Sequence, residues 1–170
     1  MVKQGKKLIS IDSRIPNHLM KEALTIKGLS EFKKYDLVKN EFKFGKSRLD
    51  FLLKADGRPL ILEVKSVTLV EDGCGYFPDA VTLRGKRHVE ELMKATKKGY
   101  EAAVAFVIQR QDAHEFKPNL RQDPSFCEAL KKAKERGIKI LAYSCDVKPG
   151  EISIGKSVPV NLSWNSDGVV

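Results

Sequence analysis

Residues 47–67 read SRLDFLLKADGRPLILEVKSV, and no other stretch limits the possible folds as tightly. Leu49, Phe51 and Leu53 alternate with Arg48 and Asp50, and Leu60, Leu62 and Val64 alternate with Glu63 and Lys65. A period of two places alternate side chains on opposite faces of a strand. Between the two runs stands Asp56-Gly57, a pair that favours the two-residue turn of a β-hairpin. Just upstream, Phe42 and Phe44 also alternate with charged residues. Three consecutive antiparallel strands are therefore expected at 38–44, 47–54 and 59–67.

Around this meander the pattern changes to the helical period. RIPNHLMKEALTIKG carries Leu19, Ala23 and Ile26 at helical spacing, with Asn17 as the expected N-cap and Gly28 as the stop. VTLRGKRHVEELMKATKKG places Val81, Val89, Leu92 and Met93 on one stripe, interrupted by Gly85 in its first turn. EAAVAFVIQR reads as a buried strand, DPSFCEALKKAKERG as an amphipathic helix ended by Gly137, and IKILAYSCDV as a further strand. GCGYFPDA is expected to be a loop, and EISIGKSVPVNL an added edge segment. The order is αβββαβαβ, an α/β (α+β) chain whose mixed central sheet is flanked by helices. One domain over 1–162 and a flexible tail over 163–170 are expected.

Length and composition narrow the class further. The 170 residues are enough for one domain with a proper core, and 42% are hydrophobic and 31% charged, as in soluble globular proteins. No apolar run is long enough to cross a bilayer, and no apolar segment follows the basic N-terminus as in a secretory signal. Three widely spaced cysteines, with no CxxC or Cys/His cluster, argue against a zinc site and for reduced thiols in a cytoplasmic protein. The net charge is +9, which favours polyanionic partners, nucleic acid first among them.

The hairpin raises a chemical question, because charges set into an aliphatic strand are costly unless they are paired or bind a metal. Pairing through Asp56-Gly57 brings Asp50, Glu63 and Lys65 onto one face. Two carboxylates and the Val64 carbonyl are the hard oxygen donors that Mg²⁺ or Mn²⁺ takes, with positions left for water and phosphate. A lysine beside them can orient water or offset charge developing on the phosphoryl group. The set suits phosphodiester hydrolysis. Glu22, on the first helix beside Ile15 and Ile26, either leans toward this site as a further carboxylate or is a solvated glutamate. A Glu and a Lys two apart also form ordinary surface ion pairs; the aspartate on the neighbouring strand shifts the balance toward a metal site.

Asp50, twelve residues, then Glu63-Val64-Lys65 resembles the PD-(D/E)xK nuclease superfamily, with Leu49 in place of the proline. Pro78-Asp79 is a decoy, since it follows the ExK. A closer likeness covers Leu8 to Leu162: SRLDFLL, LEVKSVTL, GYFPDAVTLRGKRHVEEL, VAFVIQR and ILAYSCDV resemble the sugar fermentation stimulation protein A family. That resemblance implies a restriction-endonuclease-like core, non-specific DNA binding and a regulatory role in sugar (maltose) metabolism. It also implies a preceding β-barrel of OB type, which has no counterpart here.

The superfamily resemblance implies metal and catalytic roles for Asp50, Glu63 and Lys65, with Glu22 as its helix-borne carboxylate. Arg84 and His88, four apart on the second long helix, are expected to contact phosphate, the alternative being an exposed basic helix. Arg48 is expected either to contact phosphate or to pair with Asp50. Gln109 and Arg110 end the next strand near the site with open roles. His18 and His114 read as surface residues and Cys127 as core filling. The expected activity is Mg²⁺- or Mn²⁺-dependent cleavage of DNA by a chain that can dimerise. The alternative is a non-specific DNA-binding regulator without nuclease activity; a small-molecule metabolic enzyme has no motif in its favour.

Overall fold

The computed structural model describes residues 2–4, 7–9 and 14–164. In chain order the elements are β1 (Val2–Gln4), β2 (Lys7–Ile9), α1 (Ile15–Thr25), β3 (Asp36–Phe44), β4 (Ser47–Ala55), β5 (Arg58–Val67), β6 (Leu69–Glu71) and β7 (Cys74–Phe77). Then follow α2 (Leu83–Thr96), β8 (Glu101–Ile108), β9 (Glu115–Pro118), α3 (Pro124–Glu135), β10 (Lys139–Lys148) and β11 (Glu151–Ser157). A short 3₁₀ turn at Ser30–Phe32 links α1 to β3.

The six-stranded main sheet has the order β11-β10-β8-β5-β4-β3. β3, β4 and β5 form the expected antiparallel meander. β5, β8 and β10 are parallel neighbours, and β11 closes the edge antiparallel to β10. Asp56 and Gly57 both have positive φ (48° and 79°), the two left-handed residues of a type I′ turn.

Each face of the sheet is covered. On one side Ile61, Val67, Val104, Phe106 and Ile108 pack with Val89 and Leu92 of α2 and Phe126 and Leu130 of α3. On the other, Phe51, Leu53, Leu60, Leu62 and Val64 pack with Leu19, Met20, Ala23 and Leu24 of α1. The central strand β8 is buried on both faces, which is why its sequence is a continuous apolar run and not an alternation.

Several expectations require correction. Asn17 does not cap α1: Pro16 lies in the first turn, the N-cap is Arg14, and no side chain bonds there. Ile26 follows the last helical residue and is exposed, so it is not part of the buried stripe. Val81 likewise precedes α2 and is exposed; Thr82 caps that helix, its hydroxyl accepting from the Gly85 N–H. The loop expected at GCGYFPDA contains β7, which joins β6 and β9 in a small second sheet. Strands this short carry no readable period. Gly75 marks the close approach: a Cβ there would stand 2.8 Å from Ile108 Cδ1.

Trp164, in the segment expected to be loose, lies against the α2-side core. Lys131 Nζ stands 4.9 Å from its ring centroid. Residues 165–170, the rest of that segment, lie outside the described residues.

Candidate metal centre

β4 and β5 pair from Ala55↔Arg58 to Phe51↔Leu62, and the ladder stops there. Leu49 packs with the α2-side core while Phe51 packs on the α1 side. The alternation expected to run through Leu49, Phe51 and Leu53 is therefore broken at Asp50. Opposite this break, Glu41 of β3 adopts φ 53°, a left-handed conformation that costs a non-glycine residue and recurs near functional sites. The ladder ends where the charged residues begin.

Asp50 fills the gap. Its Oδ2 accepts the Val64 backbone N–H at 2.7 Å, replacing a ladder bond with a carboxylate contact. Its Oδ1 accepts from Asn17 Nδ2 at 2.7 Å. Across the gap Glu63, only 3% exposed, turns Oε2 toward the Asp50 N–H at 3.3 Å. Glu63 Oε1 accepts from Lys65 Nζ at 2.6 Å and lies 2.6 Å from Nδ1 of buried His88. So short an approach to a carboxylate requires the proton on Nδ1, since two lone pairs would repel. Lys65 and His88 therefore both donate to one oxygen. Each carboxylate oxygen has about two acceptor sites, so Glu63 Oε2 and both Asp50 oxygens keep capacity for a further ligand.

The electrostatics of the two acids differ. Burial, then the neighbouring Glu63 charge, pushes Asp50 up from 3.8 to about 7 despite its hydrogen bonds from Val64 and Asn17. Burial alone would also raise Glu63, but the His88 hydrogen bond and the Lys65 ammonium outweigh it and hold Glu63 below its usual range. Two carboxylates thus share one lysine, and Asp50 lacks a compensating charge. A divalent cation fits that deficit. The donor chemistry also fits: two carboxylates and the Val64 carbonyl suit an ion that keeps several waters. Among the described residues no cluster of three or more His, Cys, Asp or Glu is placed to bind a metal, so the set rests on this pair.

The sequence profile described as Sugar fermentation stimulation protein RE domain matches residues 14–151. The chain belongs to this family. Among its relatives are the sugar fermentation stimulation protein homologs of Moorella thermoacetica, 46% identical over 95% of this chain and 70% of that protein, and of Desulforamulus reducens, 44% identical over 91% and 65%. The solved SfsA of Pyrococcus furiosus, in complex with Ca²⁺, superposes with a TM-score of 0.86 at 31% identity, covering 91% of this chain and 68% of that one. The chain spans about two thirds of the length of these relatives. The mixed central sheet flanked by helices, expected from the αβββαβαβ order, is the fold that this chain shares with the solved P. furiosus relative.

Within that core the remaining candidates separate. Glu22 is exposed and hydrogen-bonds to none of Asp50, Glu63 and Lys65. It stands one turn before exposed Ile26, so the apolar arc does not carry it toward the sheet. Asn17 is the α1 residue that reaches Asp50. The available signal was Pro16: proline prefers the first helical turn, which puts Asn17 inside the helix. Arg48 does not pair with Asp50; it is exposed, with Nη1 3.9 Å from Glu41 Oε2, because the break in β4 turns the two side chains apart. Arg84 is exposed on the first turn of α2. His88 is buried against Glu63 and Lys65, which makes it a positioning residue for Glu63.

Gln109 is fully buried and donates from Nε2 to Ser66 Oγ at 2.7 Å. It lies on the α1 side of the sheet, opposite Lys65. Arg110 is buried and bonds both carboxylate oxygens of Asp112, at 2.9 and 2.8 Å. Asp79 is exposed in the loop after β7. All three cysteines are free and buried. No helix among the described residues is long and apolar enough to cross a membrane.

Proposed function

We propose that this chain binds DNA and hydrolyses a phosphodiester bond with Mg²⁺ or Mn²⁺ held by Asp50, Glu63 and the Val64 carbonyl. The observation that carries the reading is the gap between β4 and β5, where buried Glu63 and half-buried Asp50 face each other and the nearby lysine is bonded to Glu63. The P. furiosus relative, solved with Ca²⁺, supports a divalent ion, since Ca²⁺ takes the same class of oxygen donors. The +9 charge supports a polyanionic substrate.

A divalent cation supplies Lewis acidity toward a phosphoryl oxygen and a more acidic water. The chain's own residues do the rest. Lys65 Nζ, held on Glu63, stands beside the scissile phosphate to orient the attacking water and offset developing negative charge. His88 locks the Glu63 rotamer from below through Nδ1–H. Asn17 and the Val64 N–H fix the Asp50 carboxylate so that its free lone pairs face Glu63. Arg84, exposed one helical turn before His88, supplies a flanking phosphate contact.

Incubating supercoiled plasmid and single-stranded DNA with the purified chain in Mg²⁺ and in Mn²⁺ tests this. The wild type produces nicked or shortened DNA, and Asp50→Ala and Glu63→Ala reduce the rate by at least ~10²-fold, as losses of metal-centred catalysis do. A wild type that leaves every DNA form intact in both metals removes hydrolysis. Salt-sensitive binding that persists in Asp50→Ala would then leave a DNA-binding protein on a nuclease fold.

A further inference from the structure

A second feature lies beside the carboxylate pair and plays no part in the chemistry above. A hollow of about 450 Å³ opens between the β3–β4 turn and the C-terminal half of α2. Lys46 of the turn and Lys94, Lys97 and Lys98 line it, with Glu91 as the single acid, a net charge of +3. Glu91 is buried and its Oε1 is 3.1 Å from Lys94 Nζ, so its charge is already matched. The free excess lies on Lys46, Lys97 and Lys98, all exposed.

Lysines near a helix C-terminus are favoured by the helix dipole, and that alone would account for Lys94, Lys97 and Lys98. It does not account for Lys46, which comes from another element. Nor does it account for the packing that brings Lys46 there. Gly45 has φ 56°, and a Cβ at this position would stand 2.0 Å from Glu91 Oε2, so any other residue here is strained and displaces the Glu91 carboxylate from the turn. Lys98 Nζ is held 5.5 Å from the Phe44 ring centroid, on the same wall.

The position of the hollow gives it a role. His88 touches Glu63, and Glu91, three residues on, touches the turn at Gly45. Residues three apart on a helix face are about 5–6 Å apart, on the order of one to two nucleotide steps of a strand. Exposed Arg84, Arg87, Lys94 and Lys98 also share one stripe of α2 and its C-terminal extension, leading from the carboxylate end to the hollow.

We propose that this hollow grips the phosphodiester backbone of a nucleic-acid strand next to the position held at Asp50 and Glu63. The proposal rests on the DNA reading above and gives it a strand path. Compact ammonium groups recognise backbone phosphates as point charges without reading sequence, so the grip is indifferent to sequence.

The test compares wild type, Lys46→Ala/Lys97→Ala/Lys98→Ala, and a control of equal charge loss elsewhere, Lys21→Ala/Lys33→Ala/Lys54→Ala. Binding of a short fluorescent duplex is followed by anisotropy in Ca²⁺ across a salt series. Melting shifts on adding Mn²⁺ report folding and the metal site. The hollow variant is expected to lose at least tenfold in affinity and about 2–3 units of log–log salt slope, near 0.9 per phosphate contact. The control is expected to change by less than about twofold, and both variants to keep the Mn²⁺ shift. Equal losses in both variants, or none in either, overturn the proposal. A wild type that binds no duplex at low salt overturns it together with the DNA reading. A wild type that binds but never cleaves, with binding lost in the hollow variant alone, removes hydrolysis and leaves the grip standing.

Discussion

Asp50 is the residue on which stability and chemistry pull in opposite directions. Its pKa of about 7 means that the metal-free fold resists its ionisation. For a carboxyl raised above its unfolded value, the folded state holds the proton while the unfolded chain has released it. Stability therefore falls as pH rises from about 4 to about 7 and is level above that. Asp50→Asn removes this slope. In EDTA at pH 8 the variant should melt several degrees above wild type, by on the order of a few kcal/mol at most, and the gap should close at pH 4. The same variant should show no melting shift with Mn²⁺. An Asp50→Asn protein no more stable than wild type at pH 8 would mean that the carboxylate is not strained by its surroundings. Asn17 and His88 complete this scale: each fixes one carboxylate by a single hydrogen bond.

At the scale of elements, the placement of α2 decides whether His88 meets Glu63, and α2 is anchored through a shared cap. Asp123 is buried; its Oδ1 accepts from Phe126 N at 3.0 Å, capping α3, and its Oδ2 accepts from Thr82 N at 2.9 Å, where α2 begins. One carboxylate thus ties two helix starts together. Asp123→Ala loses a cap, typically ~1 kcal/mol, and strands a second N–H, a further ~1–3 kcal/mol. Denaturant melts should show a loss of about 2–4 kcal/mol, whereas Thr82→Ala, which breaks only its own cap at Gly85, should lose about 1 kcal/mol. Equal losses in the two variants would show that the caps act separately. The small sheet β6-β7-β9 belongs to this level as well, pressed onto the main sheet by Phe77 and Phe116.

At the scale of the whole molecule, Phe106 is the point where the layers meet. It stacks on Phe116 of β9 with centroids 4.1 Å apart and contacts Phe77 of β7 at 5.4 Å, while Phe77 meets Phe126 of α3 at 5.2 Å. Main sheet, small sheet and α3 therefore share one aromatic cluster. Phe106→Ala should cost ~3–5 kcal/mol, lowering the melting temperature by roughly 10 °C or more. A loss below ~1 kcal/mol would indicate that the small sheet is not part of the cooperative unit.

The sequence by itself determined the meander, its two-residue turn at Asp56-Gly57 and the helices flanking a mixed sheet, and it singled out Asp50, Glu63 and Lys65 as charges set into apolar strands. Those features are local or follow from a period of two or 3.6, and the paired charges stood out because an aliphatic strand does not otherwise tolerate them. The tertiary structure alone decided the rest. Where β4 leaves β5, why Arg48 turns from Asp50, why Asn17 and not Glu22 reaches the site, and how deeply His88 is buried all depend on contacts between distant segments. The short strands of the second sheet and the lysines that Gly45 and α2 bring together follow the same rule. A periodic pattern says which face of an element is apolar; only packing says which polar groups at its border meet across the gap.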